Sequence, residues 1–329
     1  MDKKNIAVVY GGDSSEVVIS MKSAKMVMQS IDFMKYNVYG VLIKGSEWTV
    51  KLDDETIINI DKNDFSFTMN EQKVAFDCAA IIIHGSPGEN GLLQSYFDLI
   101  NMPYTTCNAF VSALTFDKYA CKAYLRDLNI SMAKEILVRK EQKIKHNEII
   151  DKLGLPVFVK PNAAGSSFGV TKVKSADELE KALQEALIED DEVLIEEFIQ
   201  GTELSHGIMR TKGKDIMLPV TEIVSKNDFF DFEAKYTSGM SDEITPARID
   251  DETTKRVQSL SSKIYNWLNC NGIVRVDYIL RDGELYFLEI NTVPGMSEAS
   301  IVPKQIQFAG LSFTEVMSIL IEDSLSKNN

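Results

Sequence analysis

Ile273-Val274-Arg275-Val276-Asp277-Tyr278-Ile279-Leu280 and Glu284-Leu285-Tyr286-Phe287-Leu288-Glu289-Ile290-Asn291, joined by Arg281-Asp282-Gly283, read as the two strands of a hairpin. A three-residue loop ending in glycine closes such hairpins, because glycine accepts φ > 0 at the last position. In that register Leu280 faces Glu284, Val276 faces Leu288 and Val274 faces Ile290, which predicts an apolar face. The opposite face gathers Arg275, Asp277, Glu289 and Asn291, with Arg275 across from Glu289. Two acids and an amide on one sheet face form a hard-oxygen set suited to Mg2+. Alternation by itself suits a solvated hairpin face equally well.

Three further stretches carry chemistry. In Lys160-Pro161-Asn162-Ala163-Ala164-Gly165-Ser166-Ser167-Phe168-Gly169 a strand delivers a lysine and a small-residue loop folds back. Such a loop lays backbone N–H groups and two hydroxyls on phosphate oxygens, although a Gly/Ser turn is more often only a turn. It is not a P-loop, and the Gly11-Gly12 turn holds no G-x-G-x-x-G, which argues against a dinucleotide-dependent oxidoreductase. Glu196-Glu197-Phe198-Ile199-Gln200-Gly201-Thr202-Glu203 follows an apolar strand and supplies acids, an aromatic and an aliphatic to an adenosine, or merely ends a strand with exposed acids. His84-Gly85-Ser86-Pro87-Gly88-Glu89-Asn90-Gly91 sets a histidine and a glutamate at the end of a buried strand, where a histidine is commonly a hydrogen-bonded cap.

The 329 residues predict two or three domains at roughly 100–200 residues each. The expected divisions are 1–105, an open parallel α/β sheet with its ligand edge at residues 11–12 and 85–91; 106–192, helical over 109–128 and then a Gly/Ser hairpin with a helix capped by Ser175 and Glu178; and 193–329. The last holds a polar loop at 225–246, a helix at 251–269, the hairpin, and a helix capped by Ser312 and Glu315. The class is α/β, or α+β overall. With 35 Lys and Arg against 49 Asp and Glu the net charge is −14, which argues against nucleic acid or an anionic membrane as partner. No apolar run approaches the roughly 20 residues of a membrane helix, and the short apolar run Ile6–Tyr10 is no signal peptide. Cys78, Cys107, Cys121 and Cys270 form no C-x-x-C pair. The expectation is a cytoplasmic protein.

In order and spacing, GGDSSE (11–16), HGSPGENG (84–91), DK (117–118), KPNAAGSSFG (160–169), EAKY (233–236) and RVDYILRDGELYFLEINTVPGMSEAS (275–300) resemble the D-alanine–D-alanine ligases of the ATP-grasp superfamily. The resemblance runs from Ile6 to about Val316. It implies three domains, with ATP gripped between the central and C-terminal ones, and a homodimer. Lys118, Lys160 and Lys235 match lysines that hold ATP phosphates; Ser166 and Ser167 lie in the lid over them. Glu196 and Glu203 match the adenine- and ribose-side acids, with Phe198 and Ile199 between. Asp277, Glu289 and Asn291 match the ligands of two Mg2+ (or Mn2+) ions.

For the amino acids, Glu16 matches the acid that holds the first ammonium, with Ser166 and Tyr236 as its hydrogen-bonded partners and His84 nearby. Arg275 and the Gly295 N–H match oxyanion stabilisers, and Ser300 and Ile301 match holders of the second carboxylate. The implied activity is ATP-dependent synthesis of D-alanyl-D-alanine for peptidoglycan. Alternatives are a ligase taking D-lactate or another D-residue second, and a non-catalytic ATP-binding regulator on the same fold. Two positions depart from the family: Val18, often an acid, and Asn90, often Asp; Tyr236 favours the dipeptide product.

Overall fold

Lys4–Gly11 (β1) is buried from Ile6 to Val9 on both faces, and such a strand needs cover on both sides. A computed structural model of the chain describes residues 3–52, 56–142, 145–165, 168–225 and 241–326. After β1, the helix Val17–Ser30 (α1) returns the chain to Tyr36–Lys44 (β2), parallel to β1. Glu47–Lys51 (β3) and Ile57–Asn59 (β4) extend that edge antiparallel. Ser66–Met69 (β5) and Gln72–Ala75 (β6) form a separate hairpin; Cys78–Ile81 (β7) joins the far side of β1 in parallel, and Leu92–Leu99 (α2) follows. The order is β4-β3-β2-β1-β7. The expected open sheet is therefore mixed, because the short β2–β3 and β3–β4 connections leave no length for a crossover helix. Since β2 and β7 flank β1, the turns after β1 and β7 meet at a switch point, where open α/β sheets bind ligands.

Ala109–Phe116 (α3) and Lys118–Leu125 (α4) are two helices where one helical stretch is expected. Asp117 ends the first and caps the second, accepting the Ala120 N–H at 2.8 Å. After Ser131–Met132 (β8) come Glu135–Arg139 (β9), His146–Leu153 (α5), Val157–Pro161 (β10), Thr171–Val173 (β11), Leu179–Glu189 (α6) and Glu192–Glu197 (β12). The sheet order is β11-β10-β12-β9. Val157, Val159, Val173, Val193 and Ile195 pack under α5 and α6. Period-two alternation then turns Phe158, Lys160, Lys172, Glu196 and Glu135 to the other face. The capping box expected from Ser175 and Glu178 does not close: the Glu178 N–H goes to the Ser175 carbonyl, and the Glu178 carboxylate accepts the Lys174 N–H at 2.7 Å.

The third sheet runs β16-β15-β13-β17-β18-β8, with β14 also on β13. Its strands are Thr202–Thr211 (β13), Lys214–Met217 (β14), Thr221–Ser225 (β15), Ser241–Ile244 (β16), Ile273–Arg281 (β17) and Glu284–Asn291 (β18). Asp251–Trp267 (α7), capped by Asp250, lies on its apolar face together with α3 and α4. Ile301–Phe308 (α8) and Phe313–Ser326 (α9) close the chain, and Ser312 and Glu315 form the expected reciprocal box. Val316, Met317, Leu320 and Ile321 of α9 pack with α1 against Ile6, Val8 and Ala80, so the last helix covers the first sheet.

The hairpin departs from its expected register. Its turn is the two-residue Asp282-Gly283, both at φ > 0 (50° and 79°), the type I′ geometry that suits strand twist. Arg281 therefore faces Glu284 and Leu280 faces Leu285; Arg275 lies across from Asn291, not Glu289. A register shift at Asp277/Tyr278 leaves Leu288 as the extra residue and pairs Asp277 with Glu289. The bulge restores parity, so Arg275, Asp277, Glu289 and Asn291 do share a face, as the alternation predicts.

A division between residues 192 and 193 would cut β12 from its first residue, and α3 and α4 pack with the third sheet. We propose boundaries near 130 and 200 instead, with residues 106–130 joined to the third unit. On β13, His206 sits among Leu204 and Ile208, wholly buried, and burial pushes its pKa down to about 4 against a smaller pull from the Leu218 backbone. The unfolded chain thus takes up a proton that the fold refuses. Stability is full above pH 6.5 and declines as pH falls toward 4, by up to about 3 kcal/mol. Denaturant titration of wild type and His206→Met from pH 7 to 4 should show this slope in the wild type only.

Candidate active site

Strand pairing assembles the first cluster. Ser205 of β13 stands opposite Asp277 of β17, which stands opposite Glu289 of β18. The buried Asp277 carboxylate accepts from Ser205 Oγ (2.7 Å), Arg275 Nη2 (2.7 Å) and Asn291 Nδ2 (3.1 Å). Glu203 lies two residues from Ser205 on the same face. The donors are two carboxylates and an amide oxygen, all hard, which is the set a divalent cation of the Mg2+ class prefers. Among the described residues no three acidic, His or Cys side chains gather as a metal cluster by themselves.

Across from this face stands the polar face of the central sheet. Lys160 and Lys122, 7% and 1% exposed, both rest on the Glu196 carboxylate, and Lys122 also lies 3.4 Å from Glu135. Burial, reinforced by the charges of Lys122 and Lys118, presses the Lys160 ammonium well below the usual lysine range, while Glu289 pulls the other way. That opposing pull brings the two faces into one electrostatic site. Lys118 opens α4 and donates to the Ala164 carbonyl at 2.5 Å. Asn162, 1% exposed, ties that helix to the glycine loop: its Oδ1 accepts the Tyr119 N–H and its Nδ2 donates to Asp117. Phe198 packs edge-on to Phe158 with Lys172 Nζ 3.8 Å above its ring, and Ile199 is buried beside it.

The third cluster belongs to the first unit. Glu16, 8% exposed, opens α1. Gly165 lies so close that a Cβ there would come within 2.3 Å of Glu16 Oε2, so a larger residue would have to push the Glu16 carboxylate aside. The loop after β10 therefore reaches the first unit. Glu89 is buried beside Glu16; burial first, then the Glu16 charge, raise its pKa to about 7, against the Gly85 and Val293 N–H groups. His84 is sealed between Ser23 and the Val293 carbonyl. Gly295 follows two residues later, and Ser300 Oγ bonds to the Ser297 N–H and hydroxyl just before Ile301 opens α8. Gln305 anchors α8: it accepts the Gly207 N–H at 3.0 Å and donates to the Ser205 carbonyl at 2.9 Å.

Contacts between the units are made at Glu16 with Gly165, Lys118 with the Ala164 carbonyl, and His84 with the Val293 carbonyl. Ser166, Ser167, Lys235 and Tyr236 lie outside the described residues. Lys122, Glu135, Asn162, Lys172, Ser23 and Gln305 went unread in the sequence. Asn162 stood in the quoted 160–169 stretch without a role, and Lys122 left a trace as a second lysine four residues after Lys118, one helical turn on. Lys122→Ala strands Glu196 and Glu135 with one fewer counter-charge in a buried site. It should lower unfolding free energy by about 3–5 kcal/mol in urea titration, whereas the exposed Lys140→Ala should leave the titration nearly unchanged.

The description "D-ala D-ala ligase N-terminus" matches residues 5–107, and "D-ala D-ala ligase C-terminus" matches residues 124–322. A D-alanine--D-alanine ligase of Phocaeicola vulgatus is 50% identical over 322 residues, which is 98% of this chain and 99% of that one. Among solved structures, the VanG D-Ala:D-Ser ligase from Enterococcus faecalis matches at TM-score 0.86 and 32% identity, covering 98% of this chain and 99% of that one. The D-alanine--D-alanine ligase from Bacillus anthracis complexed with ATP matches at TM-score 0.79 and 30% identity, covering 100% and 99%. With both halves matched and the relatives spanned end to end, the chain belongs to the D-alanine–D-alanine ligase family of ATP-dependent ligases.

Proposed function

We propose that this chain condenses two D-alanines into D-alanyl-D-alanine for peptidoglycan precursor synthesis. The observation that carries the reading is that the loop after β10 touches both Glu16, through Gly165, and Lys118, through Ala164, while Arg275 and Asn291 gather on Asp277 in the third sheet. The carboxylate of the first D-alanine attacks the γ-phosphate of ATP, giving an acyl phosphate and ADP. The free amine of the second attacks that carbonyl, and the tetrahedral intermediate sheds phosphate. Positioning and electrostatics supply most of such a rate.

The roles proposed for the residues are those the resemblance implies. Glu16 receives the first ammonium. Lys118, Lys160 and, outside the described residues, Lys235 meet the phosphates. Lys160, already crowded by like charge, gains most from a polyanion. Glu196, Phe198, Ile199 and Glu203 serve the adenosine; Ser166, Ser167 and Tyr236, outside the described residues, match the family's phosphate- and substrate-side partners. Asp277, Glu289 and Asn291 are the residues that would hold two Mg2+ or Mn2+ ions, which when bound neutralise phosphate charge. Arg275 and the Gly295 N–H face the developing oxyanion. Ser300 and Ile301, at the N-terminus of α8, receive the second carboxylate.

We further propose a homodimer in the cytoplasm; among the described residues no helix is long and apolar enough to cross a membrane. With −14 net charge the field steers ATP poorly, so turnover should depend steeply on Mg2+.

Mass analysis of products from ATP, Mg2+ and D-alanine, with D-lactate and D-serine present, tests the reading. D-alanyl-D-alanine should dominate. An ester or mixed peptide would move the second subsite to another acceptor, and no D-alanine-dependent phosphate release would end the ligase reading. Arg275→Ala should cut kcat by about 10²–10³, the cost of an oxyanion donor. Glu289→Ala should raise the Mg2+ concentration needed for half-maximal rate. Unchanged turnover in both would favour a regulator.

A further inference from the structure

The turn between β18 and α8 carries Gly295, and residues of the first unit grip it on both sides. Upstream, His84 Nδ1 lies 2.8 Å from the Val293 carbonyl oxygen. Downstream, the Met296 N–H donates to Ser23 Oγ at 3.1 Å. The grips connect, because Ser23 Oγ and His84 Nε2 are 3.2 Å apart. All four groups are sealed: Ser23 is 0% exposed, and His84, Val293 and Met296 are each 4%.

The donors in this chain can be assigned by elimination. A carbonyl oxygen only accepts, so His84 Nδ1 carries the hydrogen. In a neutral ring Nε2 is then the acceptor and takes the Ser23 hydroxyl hydrogen. Ser23 Oγ keeps a lone pair for the Met296 N–H. Every link is satisfied in one direction, and Nε2 is occupied by protein. Burial lowers the pKa of the ring; Glu16 and the Val293 carbonyl oppose this, and Arg275 adds to it.

We propose that Ser23 and His84 are positioning residues, a hydrogen-bonded strut from the first unit that fixes the Val293–Met296 turn and so aims the Gly295 N–H at the first amino-acid subsite. The strut rests on the oxyanion role given to Gly295 under the proposed function. It makes His84 a neutral Nδ1–H ring that acts through Val293, not a base that takes a proton from substrate. It also explains why a serine on α1 lies buried against a loop some 270 residues further on. An N–H misplaced by about 1 Å loses much of its effect, so a link at this point reads directly in turnover.

The experiment joins spectroscopy to kinetics. The chain has three histidines, so long-range 15N–1H spectra of the rings, with His146→Gln and His206→Met for assignment, report each tautomer. The strut requires His84 to be neutral with its hydrogen on Nδ1 in the wild type. Ser23→Ala should lower kcat about 10-fold with KM for ATP changed less than about twofold, and should let the His84 ring sample the other tautomer. His84→Asn sets an amide N–H2 near the Nδ1 position without a titratable group. Its kcat should exceed that of His84→Leu at least about 10-fold, whereas loss of a general base costs about 10²–10⁴ in both.

A hydrogen on Nε2, a charged ring at neutral pH, wild-type kcat in a folded Ser23→Ala, or His84→Asn as impaired as His84→Leu each overturns the strut. If Ser23→Ala does not fold, the wild-type ring and the His84 pair carry the test. A wild type that shows the Nδ1–H ring yet makes no dipeptide overturns the ligase reading and with it the aim given to Gly295, whereas a wild type that makes dipeptide with its hydrogen on Nε2 overturns the strut alone.

Discussion

Two nearly sealed lysines, Lys122 and Lys160, share one carboxylate, Glu196. A buried ammonium is tolerable only beside a buried acid, and removing one partner leaves the other charge stranded. This constraint joins the helix α4, the central sheet and, through the influence of Glu289, the face of the third sheet. Apolar side chains of similar volume would hold these layers together equally well. On the function proposed above, the retained charge suits a polyphosphate, since Lys160 is otherwise crowded by the charges of Lys122 and Lys118.

The opposite wall depends on one extra residue. Without the bulge at Leu288, the two-residue turn would set Asp277 across from Leu288 and turn Glu289 toward α7. Asp277 would then sit alone on the polar face, and a carboxylate would be driven into the core of Val276, Tyr278 and Ile290. Bulges commonly re-aim side chains beside functional sites, and this one keeps two acids and an amide together.

The first and third units are bound more tightly than three successive segments suggest. α9 packs on the sheet that the chain formed first, and the Ser23–His84–Val293 contacts lie deep in that junction. The central unit touches the first through the approach of Gly165 to Glu16.

Much of this could be read from the chain alone, because alternation within a strand is a local property. It foretold the shared face of Arg275, Asp277, Glu289 and Asn291 even with a wrong register, since a one-residue turn error and a one-residue bulge cancel in parity. The glycine loop and its lysine were legible through their spacing after a strand, and motif order along the chain identified the family. Register was not legible: it depends on whether Arg281 belongs to the turn, which backbone twist settles. Nor were the unit boundaries, because β12 and the α3–α4 pair are assigned by what they pack against. Lys122, Asn162, Gln305 and Ser23 are unremarkable residues on helices and loops. Their roles exist only once burial removes water as a partner and leaves each polar group a few protein neighbours to bond, most of them distant in sequence.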